Sequence, residues 1–253
     1  FLMGGTLPVL ARYASRDTRA RASAVGALYA VNTAGAVAGV LLCGLWFLPA
    51  IGIKLTLAAA ACLNLAAGIL ALALRARAAQ EDTAPAPSAG PPAEVTAPAP
   101  ASPFARWVLG AMFVSGVATF FYEVAWTRTL HMIVGSTHNA LTVMLAAFLV
   151  GIAIGSAALA RLADRTRDPA RIFLGLEGGI AVLALLVVPL LGQLPYVLVL
   201  GQGWIAESAF RVVLAQFLLS MAAMIGPTLL IGATFPVAAR LFVVDRADVG
   251  TGV

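Results

Sequence analysis

The string "LLIGATFPVAAR" occupies residues 229–240, and a close copy of it, "FLMGGTLPVLAR", occupies residues 1–12. Seven of the twelve aligned positions are identical, and these include a Gly, a Thr, a Pro and the closing Arg. A biased apolar composition does not explain identity at those four residue types. We therefore interpret the two strings as copies of one duplicated segment, which predicts a molecule built from repeats.

The composition indicates an integral membrane protein. Hydrophobic residues make up 61% of the chain and charged residues 11%, whereas a soluble domain carries about 25% charged residues. The net charge of +5 does not indicate nucleic-acid binding, because the arginines cluster at the ends of apolar runs, where they set topology. Cys43 and Cys62 both lie inside apolar runs, so neither a disulfide nor a metal site is predicted.

Long apolar runs predict an all-α fold, a polytopic bundle of transmembrane helices. A helix needs about 20 apolar residues to cross a hydrocarbon core of roughly 30 Å. Phe1–Ala11 is too short and is expected to be the end of another span, so we expect the chain to be an internal fragment of a longer protein. The predicted complete spans are Ala24–Leu48, Ile53–Leu74, Trp107–Leu130, Ala140–Leu159, Ile172–Leu191 and Val212–Leu241.

Arginines fall in alternate connections between these spans. Four lie in residues 12–23 and four in residues 161–171, whereas residues 131–140 and 192–210 carry neither Lys nor Arg. Cytoplasmic connections carry the excess of positive charge in membrane proteins. The alternation therefore predicts that four segments face the cytoplasm, namely 12–23, 75–106, 161–171 and 240–248.

A segment rich in Pro and Ala, residues 77–103, separates two groups of spans and is predicted to be a cytoplasmic linker. Residues 1–76 would then be the end of a first six-span repeat, containing half of span 4 and spans 5 and 6. Residues 104–253 would be spans 1 to 4 of a second repeat. In this interpretation each copy of the duplicated string closes the fourth span of its repeat.

Four strings resemble a bacterial group described as fused major-facilitator/spermidine-synthase proteins. They are "VGALYAVNTAGAVAG" (25–39), "FFYEVAWTRTLHMIVGST" (120–137), "AAFLVGIAIGSAALARLADR" (146–165) and "LLIGATFPVAAR" (229–240). Residues 155–171 also resemble the loop that follows the second span of a major-facilitator repeat, with Gly155, Asp164, Arg165 and Arg167 standing in for its glycine and charged residues.

The resemblance implies a major-facilitator-like bundle of two six-helix repeats in the bacterial inner membrane, followed by a soluble aminopropyltransferase-like domain. Residues 1–253 show no G-x-G-x-x-G unit and no acidic polyamine-binding motif. No catalytic residue, cofactor or metal is therefore predicted in this chain, and any enzyme activity would belong to that C-terminal domain.

Two functions remain open. The first is a secondary transporter-like module linked to a small cationic metabolite such as a polyamine. The second is a non-transporting anchor or scaffold that holds the aminopropyltransferase-like domain at the lipid bilayer. A polar cavity that reaches Asn32 and Asn64 would distinguish the transporter, because an anchor is expected to be filled there.

Polar residues inside the predicted spans are the candidate substrate-binding residues, since each is costly in lipid. Asn32 and Thr33 are expected near the midplane, and Asn64 could face the same cavity, although all three could instead hydrogen-bond between helices. Glu123 is expected near the outer edge, where it could receive a cation or form an ion pair. Glu177 is expected about 9 Å inside the inner boundary, either paired with a loop arginine such as Arg165 or protonatable.

Six further residues are predicted to be structural or to act in gating. Arg211 is predicted to pair with Glu123, because Arg128 lies five residues from Glu123 and favourable pairs within a helix are three or four apart. Pro8 and Pro236 are expected to bend the fourth span of each repeat. Small-residue faces, Gly35/Gly39 and Gly151/Gly155, are expected to let helices approach closely. The six residues are Arg128, Arg211, Asp164, Arg165, Pro8 and Pro236.

Overall fold

The computed structural model describes residues 21–81, 103–135, 137–165 and 168–250, and side chains within 27–73, 107–135, 137–159 and 168–241. Every regular element in these ranges is helical, which confirms the all-α prediction. The first copy of the duplicated string, with Pro8, lies outside the described residues. The elements are α1 (Arg21–Leu41), a π-helix (Leu42–Phe47), α2 (Leu48–Glu81), α3 (Pro103–Val134), α4 (His138–Arg165), α5 (Pro169–Ile205) and α6 (Ala209–Gly250).

The chain divides into two compact units. The first unit consists of residues 1–44 together with 101–253, and the second of residues 45–100. In the first unit α4 and α6 form the centre, α1 packs on α4, and α5 packs on α6. In the second unit the described structure is the end of the π-helix followed by α2.

Five helical stretches within the described residues are long and apolar enough to cross a membrane, as a multi-pass membrane protein requires. Four of them correspond to predicted spans and are longer at one or both ends. The first, Ala27–Ala73, covers two predicted spans at once. The five are Ala27–Ala73, Trp107–Val134, His138–Leu159, Pro169–Ile205 and Ala209–Leu241.

Gly52 interrupts the first stretch. Its backbone lies at φ 71° and ψ 174°, a conformation that is essentially restricted to glycine. The stretch of 47 residues would measure about 70 Å as one straight helix, more than twice the hydrocarbon thickness. The sequence predicts a turn between Leu48 and Ile53, and Gly52 lies within it. The residues on either side of Gly52 are helical, so no loop separates the two helical segments.

Residues 192–205 were expected in an outer connection, and this expectation is wrong. α5 continues to Ile205 through Pro189 and Pro195. A proline within a helix removes one backbone donor, and membrane helices tolerate this because neighbouring groups satisfy the freed carbonyl. α6 likewise continues as one helix through Pro227 and Pro236, and the expected bend at Pro236 stays a prediction.

The starts of the helices follow from local sequence. Asp168 caps α5: its carboxylate accepts a hydrogen bond from the Arg171 amide at 3.1 Å and pairs with the Arg171 side chain at 2.9 Å. The Thr137 hydroxyl accepts from the Ala140 amide at 3.2 Å at the start of α4. Gly135, at φ 103°, ends α3 in the left-handed conformation typical of a helix C-terminus.

α4 and α6 cross at backbone distance. A methyl group on Gly155 would lie 1.9 Å from the Leu229 carbonyl oxygen, and one on Gly232 would lie 2.1 Å from the Ile152 carbonyl oxygen. Gly151 faces Thr228 in the same way. The predicted small-residue face of α4 is therefore confirmed, whereas a methyl group on Gly35 or Gly39 would meet nothing within 4 Å outside its own helix backbone.

α1 and the residues that follow it pack on α4 and α6. The Gly44 carbonyl lies 3.0 Å from His138 Nε2, and a methyl group on Gly44 would clash with Thr142. Tyr29 stacks on Phe235 with ring centroids 4.8 Å apart. Because Phe235 belongs to the second copy of the duplicated string, that string supplies both the crossing glycine and an aromatic contact to α1.

Candidate functional site

The three polar residues predicted at a shared cavity have different surroundings. Asn32 is exposed on α1, while the neighbouring Thr33 is buried and its hydroxyl donates to the Tyr29 carbonyl at 2.7 Å. Thr33 is thus satisfied by its own helix. Asn64 is exposed on α2, in the second unit. A cavity that joins Asn32 and Asn64 stays a prediction.

Glu177 makes a hydrogen bond between helices. The buried Ser115 hydroxyl on α3 donates to Glu177 Oε1 on α5 at 2.7 Å. Each of these residues lies eight positions after the start of its candidate span, about 12 Å along the helix. Both residues thus lie at the same distance from the start of their spans, as parallel helices in register would place them.

An apolar groove of about 490 Å³ runs along α3 and α5 beyond this hydrogen bond, toward the C-terminal ends of both helices. Tyr122 and Trp126 form part of its wall and stack on each other with centroids 5.3 Å apart. Trp126 is only 4% exposed, so it packs inside the unit. The opposite wall includes Gly192 and Pro195 of α5.

Glu123 lies 16 residues after the start of the candidate span Trp107–Val134 and 11 before its end, and its expected place near the outer membrane edge stays a prediction. α3 continues to Val134, and the midpoint of the span Trp107–Val134 lies about 4 Å from Glu123 along the axis. Its carboxylate is half-buried and forms neither an ion pair nor a hydrogen bond within the described part of the chain. A charge at the centre of a membrane helix costs about 2.5–3.5 kcal/mol on insertion scales, a cost that either protonation or a favourable partner removes.

The predicted pair between Glu123 and Arg211 is wrong. Arg211 Nη1 instead pairs with Glu207, four residues earlier, and its guanidinium lies 5.2 Å from the centroid of the Trp204 ring. Gln216 Nε2 donates to the Val134 carbonyl at 3.1 Å, which aligns the start of α6 with the end of α3. Eleven positions separate Glu123 from Val134, and five separate Gln216 from Arg211. Arg211 therefore lies about 24 Å from Glu123 along the direction of the helix axes.

A pocket of about 380 Å³ lies beside Glu123 on one face of α3. Three of its lining residues are polar besides the carboxylate: Thr127, the exposed Arg128, and His131, whose Nε2 atom is buried without a hydrogen-bond partner in the described structure. Arg128 forms no ion pair within the described ranges. The face thus presents an acid, a base and a guanidinium to one small volume.

Most buried hydroxyls are already satisfied and need no ligand. Thr142, Ser220, Thr228 and Thr234 each donate to a carbonyl of the preceding turn of their own helix at 2.7–3.0 Å. Gln216 differs, because its Oε1 atom is buried without a partner among the described residues. Of these side chains, Thr228 packs against Gly151 at the α4–α6 crossing and Thr142 packs against Gly44.

Sequence reasoning missed Ser115, Thr127 and Gln216. Ser115 and Glu177 lie at equal distances from the starts of their spans, and this signal could have predicted the hydrogen bond between them. Thr127 follows Glu123 by four residues, so helical spacing places it on the same face. Asp164 and Arg165 end α4, and their side chains lie outside the described residues, as does the whole of Pro8.

Comparison with protein-family models, with curated proteins and with solved structures finds no match for this chain. What the protein does is therefore inferred from its own residues. The strongest of these observations is the Glu123 carboxyl group, which is ionisable, lies near the midpoint of the candidate span Trp107–Val134 and is unpaired within the described structure.

Proposed function

We propose that this chain is the membrane-embedded part of a transporter-like protein that carries a small amine-bearing metabolite, the chemical class to which polyamines belong. The observation that supports this proposal is the unpaired Glu123 near the midpoint of the candidate span Trp107–Val134. Ionisable residues within membrane spans are rare because they are costly, and they commonly mark substrate or ion pathways.

Glu123 has the chemistry that an amine requires. An ionised carboxylate only accepts hydrogen bonds, and an ammonium group only donates them. A charge-assisted bond of this kind is roughly twice as strong as a neutral one. An amine bound at this carboxylate would offset the cost that the isolated charge carries in the span. Glu177, which accepts a hydrogen bond from Ser115 within the N-terminal third of α5, would be a second acceptor on the adjacent helix.

A second candidate function is the membrane anchor for a soluble aminopropyltransferase-like domain. The α4–α6 crossing favours the anchor, because an anchor needs no space between its helices. The contact at Gly155 and Gly232 leaves no room even for a methyl group. In this alternative Glu123 would be neutralised by contact with another protein segment. The two functions differ in one measurable property, which is net movement of solute.

Uptake into proteoliposomes tests the proposal. The purified protein, reconstituted into liposomes, is expected to take up radiolabelled putrescine, spermidine or γ-aminobutyrate faster than protein-free liposomes. Glu123→Gln is expected to reduce uptake roughly tenfold, since it removes a charge-assisted contact. Glu207→Gln is the matched control, because Glu207 pairs locally with Arg211. Correctly folded protein that moves none of these solutes would contradict transport and favour the anchor.

A further inference from the structure

The pocket on α3 contains more than an acid. All its lining residues belong to α3 and span about 140° of its circumference at 100° per residue, with Glu123 and Arg128 at opposite edges. They are Phe120, Glu123, Val124, Thr127, Arg128 and His131. Since Glu123 and Arg128 do not pair with each other or with any other described residue, two opposite charges are available at one site.

The opposite charges restrict the ligand. A carboxylate binds an ammonium group, and a guanidinium binds a carboxylate through paired N–H donors. A dication at Glu123 would be repelled by Arg128, and a dianion at Arg128 would be repelled by Glu123. A molecule that carries one ammonium and one carboxylate satisfies both residues at once.

The spacing of the two residues restricts the ligand further. Arg128 begins about 7.5 Å beyond Glu123 along the helix axis. The charged ends of the ligand should therefore be separated by a short aliphatic chain and not by a single carbon. Phe120 and Val124 line the same volume and would contact such a chain. The buried, unpartnered Nε2 of His131 provides a further polar contact at the Arg128 end.

We propose that this α3 pocket binds a zwitterionic ω-amino acid, with its ammonium on Glu123 and its carboxylate on Arg128. The inference rests on the proposed function and narrows its substrate from amines in general to amines that also carry an acid. It concerns binding, which is measured separately from transport.

Three four-carbon molecules provide the test, because they differ only in the charges at their ends: γ-aminobutyrate is zwitterionic, putrescine is a dication and succinate is a dianion. Binding to the purified protein is measured by calorimetry or by thermal stabilisation in detergent. The unmodified protein is expected to bind γ-aminobutyrate roughly tenfold more tightly than either other molecule, as expected for one additional charge-assisted contact. Glycine, whose charges are one carbon apart, is expected to bind weakly.

Two variants test the assignment of each end. Arg128→Gln should weaken γ-aminobutyrate binding and make putrescine the preferred ligand, because the repulsive charge is removed. Glu123→Gln should make succinate the preferred ligand. Arg171→Gln and Glu207→Gln are matched controls at local ion pairs outside the pocket, and they should leave the order of the three ligands unchanged.

Each result has a distinct meaning. Equal binding of the three molecules, preference for putrescine, or no binding of any of them overturns the zwitterion inference. Putrescine uptake that is lost in Glu123→Gln but unaffected in Arg128→Gln would also overturn it while leaving the proposed transport function standing. Binding of γ-aminobutyrate that depends on both residues, without uptake of any solute, would instead overturn transport.

Discussion

Close packing at the α4–α6 crossing explains why the duplicated string contains a glycine. Gly232 lies within the second copy, and its missing side chain lets α6 approach the Ile152 carbonyl on α4. Gly155 plays the same part from the α4 side. Membrane helices gain no hydrophobic drive from contact with one another, so close packing of small residues is a main source of their association. The glycine of the string is thus required by packing, whatever the protein carries.

Gly155→Ala is expected to destabilise the protein, because the new methyl group would lie 1.9 Å from the Leu229 carbonyl oxygen. Overpacking of this kind costs about 1–3 kcal/mol, measured as the free energy of unfolding in mixed detergent micelles. Gly110→Ala is the matched control on α3, where a methyl group meets nothing within 4 Å. Equal stability of the two variants would show that the crossing is looser than described.

Residues in contact across helices were harder to predict than residues within one helix. Helical spacing correctly indicated that Glu123 and Arg128 would pair poorly. The proposed partner Arg211 was wrong, because the position of Arg211 along the α3 axis depends on where α3 ends. Apolar pattern placed that end at Leu130, whereas the helix continues to Val134. A shift of four residues places Glu123 about 6 Å further from the C-terminal end of the span and about 3 Å closer to its midpoint.

The helices themselves were largely predictable, because apolar runs of sufficient length and the arginines between them mark each span. Their ends were less predictable. The apolar pattern predicts that the span ends at Leu191, followed by a connection without Lys or Arg, yet α5 continues to Ile205. Local sequence signals break a helix only when tertiary contacts or lipid do not compensate, and a single sequence carries little information about those contacts.

Gly52 is the element-scale feature with the clearest test. Gly52→Ala is expected to lower the free energy of unfolding by about 1–3 kcal/mol, because its φ of 71° with ψ of 174° is strained for any residue with a side chain. Gly68→Ala, on the same helix, meets no neighbour within 4 Å and should be neutral or slightly stabilising, since Ala favours helix over Gly. If Gly52→Ala is as stable as Gly68→Ala, the break at Gly52 is not a fixed turn between two spans.

At the scale of the whole molecule, the duplication predicts two repeats related by a pseudo-two-fold axis along the membrane normal, as in parallel transporter repeats. The first copy of the duplicated string lies outside the described residues, so this symmetry stays a prediction. The α3–α6 helices nonetheless provide four consecutive candidate spans, which is the number expected from the second repeat. Their order along the chain fixes which connections share a side of the membrane.

That order makes the topology testable independently of the symmetry. Two spans, α3 and α4, separate Ser88 from Thr166, so both positions must lie on one side, and the arginines of residues 161–171 predict the cytoplasmic side. One further span, α5, places Glu207 on the opposite side.

In a background in which Cys43 and Cys62 are replaced by Ala, Ser88→Cys and Thr166→Cys should react with a membrane-impermeant maleimide only after cells are permeabilised. Glu207→Cys should react in intact cells. Reaction of Ser88→Cys and Thr166→Cys in intact cells would reverse the orientation, and different behaviour of those two variants would mean that α3 and α4 do not both cross the bilayer.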